Sequence, residues 1–176
     1  MKYKTSIECL PEKEYLAIRG YLSWNEITPD EYPEWERRYG FPNKDFIEQL
    51  KIKSGADEVY SLFCNSCQKD EKFDWVCGDD IVCENYSNAP AGDGFEIIRL
   101  APSEYLKINY FYGSEITSEQ AWKEIDDYFW NEWLKNNPYK SKIEDEDANN
   151  PETADILLFD EENKRVIVWH PIKRTV

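Results

Sequence analysis

Along the second half of the chain, the spacing of apolar positions changes in a fixed order. Tyr105 to Tyr112 (Tyr-Leu-Lys-Ile-Asn-Tyr-Phe-Tyr) is rich in aromatic and branched residues and reads as a strand. From Thr117 onward the period lengthens. Trp122, Ile125, Phe129 and Trp133 recur at spacings of 3, 4 and 4, one stripe of a helix, with Trp130 beside them. Thr117-Ser-Glu-Gln120 fits a capping box at its start. Asn136-Asn137-Pro138 predicts its end, because Asn tolerates a left-handed cap and Pro cannot continue the ladder. Two further strands are predicted, Asp155 to Phe159 and Arg165 to Ile172. The order is β-α-β-β.

The first half repeats that order around an aromatic insert. Ser6 to Leu10 and Tyr15 to Gly20 read as strands interrupted by Pro11. Thr28-Pro-Asp-Glu31 opens a helix that Pro33 keeps short. Asn43 can cap a second helix with Phe46, Ile47 and Leu50 on one face, closed by Ser54-Gly55. Glu58 to Cys64 and Phe73 to Glu84 read as strands around the polar turn Gln68 to Lys72. Two roles are open to the insert from Trp24 to Tyr39: a lid over a groove, or a cap on the first sheet. The halves also share local sequence: Glu14-Tyr-Leu-Ala-Ile18 follows Pro11 as Glu104-Tyr-Leu-Lys-Ile108 follows Pro102, at an offset of 90 residues. An echo at the same place in two matching element orders points to duplication. One domain is expected over residues 1–176, with repeats at about 3–86 and 95–174 and a linker at 87–94 (Ser-Asn-Ala-Pro-Ala-Gly-Asp-Gly). The expected fold is α+β, and a duplicated antiparallel unit leaves a groove at its pseudo-twofold, where pockets often lie.

Charge narrows the function. With 21 basic and 36 acidic residues, a net charge of -15, the chain lacks the basic excess of a free-standing nucleic-acid binder. Acidity favours solubility and attracts cations, small cationic molecules included. The chain shows no apolar signal run and no apolar stretch long enough to span a membrane, and with five Cys a reducing cytoplasm is the expected location.

The second half resembles the GyrI-like effector-binding domain, which also stands behind the DNA-binding module of AraC-type and MerR-type multidrug-responsive regulators. Four pieces carry the likeness: Pro102-Ser-Glu-Tyr-Leu-Lys-Ile with Gly113; Ala121-Trp122, Ile125 and Trp133 through Tyr139; Glu152 after Pro151; and Val168-Trp-His-Pro-Ile-Lys173. The chain departs from the family pattern at Lys135 and Ala154, where Pro and Tyr are usual, and in the acidic run Glu144 to Asp147. With so few residues before Ser6, no helix-turn-helix is expected ahead of the domain. The resemblance implies duplicated β-α-β-β units forming a curved antiparallel sheet or partial barrel with two main helices and a central ligand groove between the halves, with an acidic residue at the Glu152 position meeting cationic ligands among aromatic rings. Some relatives hydrolyse strained alkylating compounds with that Glu, and others bind DNA gyrase.

Glu152 is accordingly the leading candidate, as a charge-neutralising ligand contact or, in a hydrolase, as general base. Tyr110, Tyr112, Trp133 and Trp169 are candidate groove aromatics, able to attract a cation through their faces. Alternation sends Phe111 to the sheet face opposite Tyr110 and Tyr112, and core packing is the commoner fate of any single ring. Asp126, a further candidate, projects between Trp133 and Trp130 within the helix's aromatic sector, where a carboxylate could face a cationic ligand, although a residue there more often reaches water or a neighbouring Lys. Cys64-Asn-Ser-Cys67, Cys77 and Cys83 have zinc-like spacing. On one strand, however, Cys77 and Cys83 would stand about 20 Å apart at about 3.3 Å per residue, so no metal or cofactor is expected. The lone His170 supports no catalytic triad. Three functions stay open: a small-molecule binder, a Glu152-dependent hydrolase of strained electrophiles, and an acidic interaction protein with a regulator or gyrase as partner.

Overall fold

The computed structural model describes residues 2–23, 27–39, 44–55, 58–70, 72, 74–83, 95–146 and 152–175. Strands β1 (Tyr3–Leu10) and β2 (Lys13–Ser23) are followed by helices α1 (Tyr32–Tyr39) and α2 (Lys44–Ser54) and by strands β3 (Val59–Asp70) and β4 (Asp74–Cys83). The second series is β5 (Glu96–Leu100), β6 (Ser103–Phe111), α3 (Ser118–Tyr128), β7 (Tyr139–Ser141), β8 (Asp155–Asp160) and β9 (Arg165–Arg174). The expected cap Asn43 and linker 87–94 lie outside the described residues.

The strands form one sheet in the order β1-β6-β9-β8-β3-β4-β2-β5, with β7 beside β9. Every pairing is antiparallel. Exchange β1 with β5, β2 with β6, β3 with β8 and β4 with β9, and the order reads the same from the other end. Two links then dictate curvature. Pro11-Glu12 joins β1 to β2, and Ala101-Pro102 joins β5 to β6, yet each pair stands six places apart in the sheet. A flat sheet would separate them by about 29 Å at about 4.8 Å per strand. Three Cα steps reach about 11 Å at most. The sheet therefore curls until its two ends approach, without closing, which is the curved α+β architecture expected from the sequence.

Helix α3 starts as its sequence predicts. The Thr117 hydroxyl oxygen accepts the Gln120 N–H at 3.1 Å, and the Gln120 side-chain oxygen accepts the Thr117 N–H at 2.9 Å. The helix then widens into a π-helical segment, Phe129–Trp133, in which the Leu134 N–H reaches back to the Phe129 carbonyl, before a last turn at Leu134–Asn136. Its end differs from the expected left-handed cap. Asn137 is extended (φ -130°, ψ 150°), as a residue before proline prefers. The Asn136 and Asn137 side-chain amides donate instead to the Glu132 and Trp133 carbonyls, at 2.7 and 2.8 Å. At α2 the expected closure holds: Gly55 takes φ +69°.

Strands β5 and β7 were not foreseen, since at five and three residues each is too short to show a period. Strand β3 runs on through Cys64–Cys67 to Asp70, with a register shift between Phe63 and Cys67. Cys67 stands opposite Cys77 in the ladder, with Cys83 six residues farther along β4.

Alternation divides the sheet into two faces. On one, Leu106, Ile108, Tyr110, Val166 and Val168 pack beneath α3 with Ile125, Phe129 and Trp133. Leu16 and Phe95 pack with Leu50 of α2 on the same face. The opposite face gathers Tyr15, Ala17, Tyr60, Leu62, Tyr105, Ile156 and Ile167, with Leu10 and Trp169 packed against them. Helices cover the first face, whereas on the second the curled sheet packs against itself.

Candidate functional site

The curled face holds a cavity of about 220 Å³ lined by Glu8, Leu10, Lys13, Tyr15, Tyr60, Ile156 and Trp169. These side chains come from β1, β2 and β3 of the first series and from β8 and β9 of the second. One row of the ladder fixes part of the floor, because Ser6 pairs with Lys107, Lys107 with Trp169, Trp169 with Ile156, and Ile156 with Leu62. Glu8 lies two residues along β1 from Ser6, so it shares that face. Its carboxylate accepts the Trp169 indole N–H at 3.2 Å and lies 3.3 Å from the Lys107 ammonium. The Lys107 nitrogen sits 5.0 Å from the centre of the Trp169 ring. Tyr60 lies 6.3 Å from Trp169, centre to centre, and donates its hydroxyl to Glu58 at 2.7 Å. Burial pushes the Glu8 carboxyl up, but the Trp169 N–H and the Lys107 ammonium outweigh it. The group is held below the usual carboxylate range and is ionised at neutral pH.

Tyr15 and Tyr105, the two tyrosines of the repeated pentapeptide, meet on this face, each 1% exposed. Burial pushes the Tyr105 phenol up, and Tyr15, Asp155 and Glu146 add to the shift. The leucines after them, Leu16 and Leu106, turn to the helix side.

The residues singled out from the sequence separate between the two faces. Trp169 lines the cavity. Tyr110, Tyr112 and Trp133 lie in the core beneath α3. The Tyr112 hydroxyl donates to Glu161 at 3.1 Å, and Trp133 stacks near Phe129 at 6.3 Å. Asp126, on α3, accepts the Trp130 indole N–H at 3.0 Å. Burial pushes its carboxyl above the usual carboxylate range, while nearby His170 and the Trp130 N–H pull it back. Glu152 is exposed. Its backbone is fixed on both sides: the N–H donates to Glu146 at 3.1 Å, and the carbonyl accepts from Ala101 at 2.8 Å. Glu146 also takes the Thr153 N–H and hydroxyl, so this member of the acidic run holds the backbone just before β8. His170 is 1% exposed, pairs with Asp155 through Nδ1 at 2.9 Å and stacks on Phe129 at 3.9 Å.

Sequence reasoning passed over Glu8, Tyr15, Tyr60 and Lys107. For Tyr15 a signal was present, the echo with Tyr105. For Glu8 and Lys107 it was not, because an alternating charged residue on a strand reads as solvent-facing. A second hollow, about 600 Å³, lies on the surface among Lys51, Glu58, Val59, Ser61, Leu158, Phe159, Asp160, Glu162, Asn163 and Arg165. Among the described residues its charges are mixed and Phe159 is its one ring, so they offer no aromatic enclosure of the kind found around Trp169.

No protein-family model matches the chain, and no curated protein matches it by sequence. Solved structures do match in fold. A Staphylococcus aureus MU50 protein with a suggested role in bacterial transcription regulation superposes with TM-score 0.55 at 14% identity, over 97% of this chain and 98% of that one. The protein SAV2435 bound to tetraphenylphosphonium gives 0.54 at 14% identity, over 97% and 94%. The C-terminal domain of EcmrR gives 0.52 at 11% identity, over 99% of each chain. At such identities the likeness is one of fold.

Proposed function

We propose that this chain is a small-molecule-binding domain of the GyrI-like effector-binding type, built from two repeats and taking a lipophilic aromatic or cationic compound onto the curled face of the sheet. The observation that carries this reading is the cavity at Trp169, where strands of both series bring aromatic rings and an ionised carboxylate to one place. An aromatic face beside a carboxylate attracts an organic cation by charge and quadrupole together, and the apolar lining rewards burial of its rings. The shared fold with SAV2435, which holds tetraphenylphosphonium, supports the same reading.

Isothermal titration with N-methylquinolinium, a two-ring cation of a size the cavity can hold, tests it. Wild type is expected to show saturable one-site binding, weakened by about tenfold in Trp169→Ala with the far-ultraviolet dichroism unchanged. Glu152→Gln belongs in the same series. As an exposed carboxylate outside the cavity lining, it is expected to change affinity by less than about twofold, and a larger loss would transfer the anchoring role to Glu152. Absence of binding by well-folded wild type, to this compound and to a panel of neutral aromatics, would refute the reading.

A further inference from the structure

The Glu8 cluster already contains a cation, and it is the protein's own. Lys107 projects from the middle strand of three: Ser6 stands opposite it on β1 and Trp169 on β9. Its ammonium lies over the Trp169 ring at 5.0 Å and against the Glu8 carboxylate at 3.3 Å. The other Glu8 oxygen holds the Trp169 N–H at 3.2 Å, which fixes ring and carboxylate relative to each other without help from Lys107. Ser6 adds a third contact, its hydroxyl to Glu8 at 3.2 Å. Carboxylate and ring thus remain aligned if the ammonium leaves. The ion pair is also open to water, with the Lys107 and Glu8 side chains 29% and 35% exposed. Exposed pairs of this kind are weak, and a flexible lysine stem readily swings into solvent.

Resting on the groove-binding reading above, we infer that Lys107 is a built-in stand-in for the ligand's cationic group: a compact aromatic cation of one or two fused rings displaces it from Trp169 and Glu8. The small cavity sets the ring count. The displaced ammonium loses one weak, solvated pair. The incoming cation takes over the same carboxylate and ring face and buries apolar surface that lysine does not have. Lys107 therefore weakens binding of every cation and leaves neutral aromatics nearly unaffected, while Glu8 favours cations.

The test compares N-methylquinolinium with methylnaphthalene, nearly equal in shape and different in charge, on wild type, Glu8→Gln, Lys107→Gln, Lys107→Met and the Glu8→Gln/Lys107→Gln double variant. Lys107→Gln is expected to bind N-methylquinolinium about fivefold more tightly than wild type, and Glu8→Gln about tenfold more weakly. In both variants methylnaphthalene stays within about twofold of wild type, and the double variant favours the cation less than Lys107→Gln alone does. Lys107→Met keeps the apolar stem and should reproduce the tightening, which separates loss of charge from loss of packing. Unchanged or weaker cation binding in both Lys107 variants, with wild type still binding methylnaphthalene, overturns the inference and leaves the groove intact. Failure of folded wild type to bind either compound removes the groove reading, and the inference with it.

Discussion

On the helix side of the sheet, Phe129 lies flat on His170 at 3.9 Å and 4°, and both are sealed from solvent at 1% exposure. On the other side, Tyr60 and Trp169 stand 6.3 Å apart at 59°, around a cavity of about 220 Å³. Both places combine aromatic rings with a carboxylate: Asp155 on His170 in the first, Glu8 on Trp169 in the second. They differ in what completes the arrangement. Helix α3 fills the first with its own side chains, so the rings there are core. The curled sheet fills the second only in part: Tyr15, Tyr60 and Tyr105 are buried on that face, and a cavity stays open beside Trp169. Glu8 and Lys107, beside Trp169, are partly open to solvent. Whether a ring borders a cavity depends on what packs over it, whatever its own identity.

Substitutions can break this contrast at either end. The largest effect is expected from Phe129→Ala, which empties a sealed site and should cost about 3–5 kcal/mol in chemical denaturation. Asp155→Ala comes next: it leaves the buried His170 Nδ1 without its partner and should cost about 1–3 kcal/mol. Trp169→Phe keeps a ring but loses the N–H to Glu8, and on the groove side that should cost about 1 kcal/mol or less. Stability losses as large as those on the helix side would mean that the groove is core after all.

The smallest effect has the opposite sign. Burial raises the Asp126 pKa in the folded chain, so folding is penalised once the carboxyl ionises. The penalty is absent below the unfolded carboxylate value, near pH 4, grows as pH rises from there, and is complete above the folded value. Asp126→Asn retains an oxygen for the Trp130 N–H. It should therefore raise the melting temperature slightly at neutral pH, with the gain vanishing in acid. A gain of equal size at all pH values would remove burial of charge as its cause.

Much of the helix side was legible in the sequence. Helix α3 could be read because its cap, its stripe and its stop agree, and Tyr110 and Tyr112 share the parity of Leu106 and Ile108, which already places all four on one face. The curved sheet is what the family resemblance implies; the short links at Pro11 and Pro102 require curvature only once the strand order sets their strands six places apart. The π-helical turn at Phe129–Trp133 was not readable, because it changes which carbonyl is used without changing the residue pattern. Nor was the groove's charge. Strand β9 is apolar on both faces, Val166, Val168 and Ile172 on one and Ile167 and Trp169 on the other, so parity alone could not say which face a helix would cover. Glu8 and Lys107 become neighbours only through the pairing of β1 with β6 across a hundred residues of chain, and no local signal records that.

The central claim is that the face away from α3 is where an aromatic cation binds. Fluorine NMR of the fluorotryptophan-labelled protein addresses it directly, because Trp169 reports on the groove while Trp122, Trp130 and Trp133 report on the helix side. Titration with N-methylquinolinium should shift the Trp169 resonance saturably, assigned through Trp169→Phe, and leave those three in place. Saturable movement of the helix-side resonances with Trp169 stationary would contradict the account.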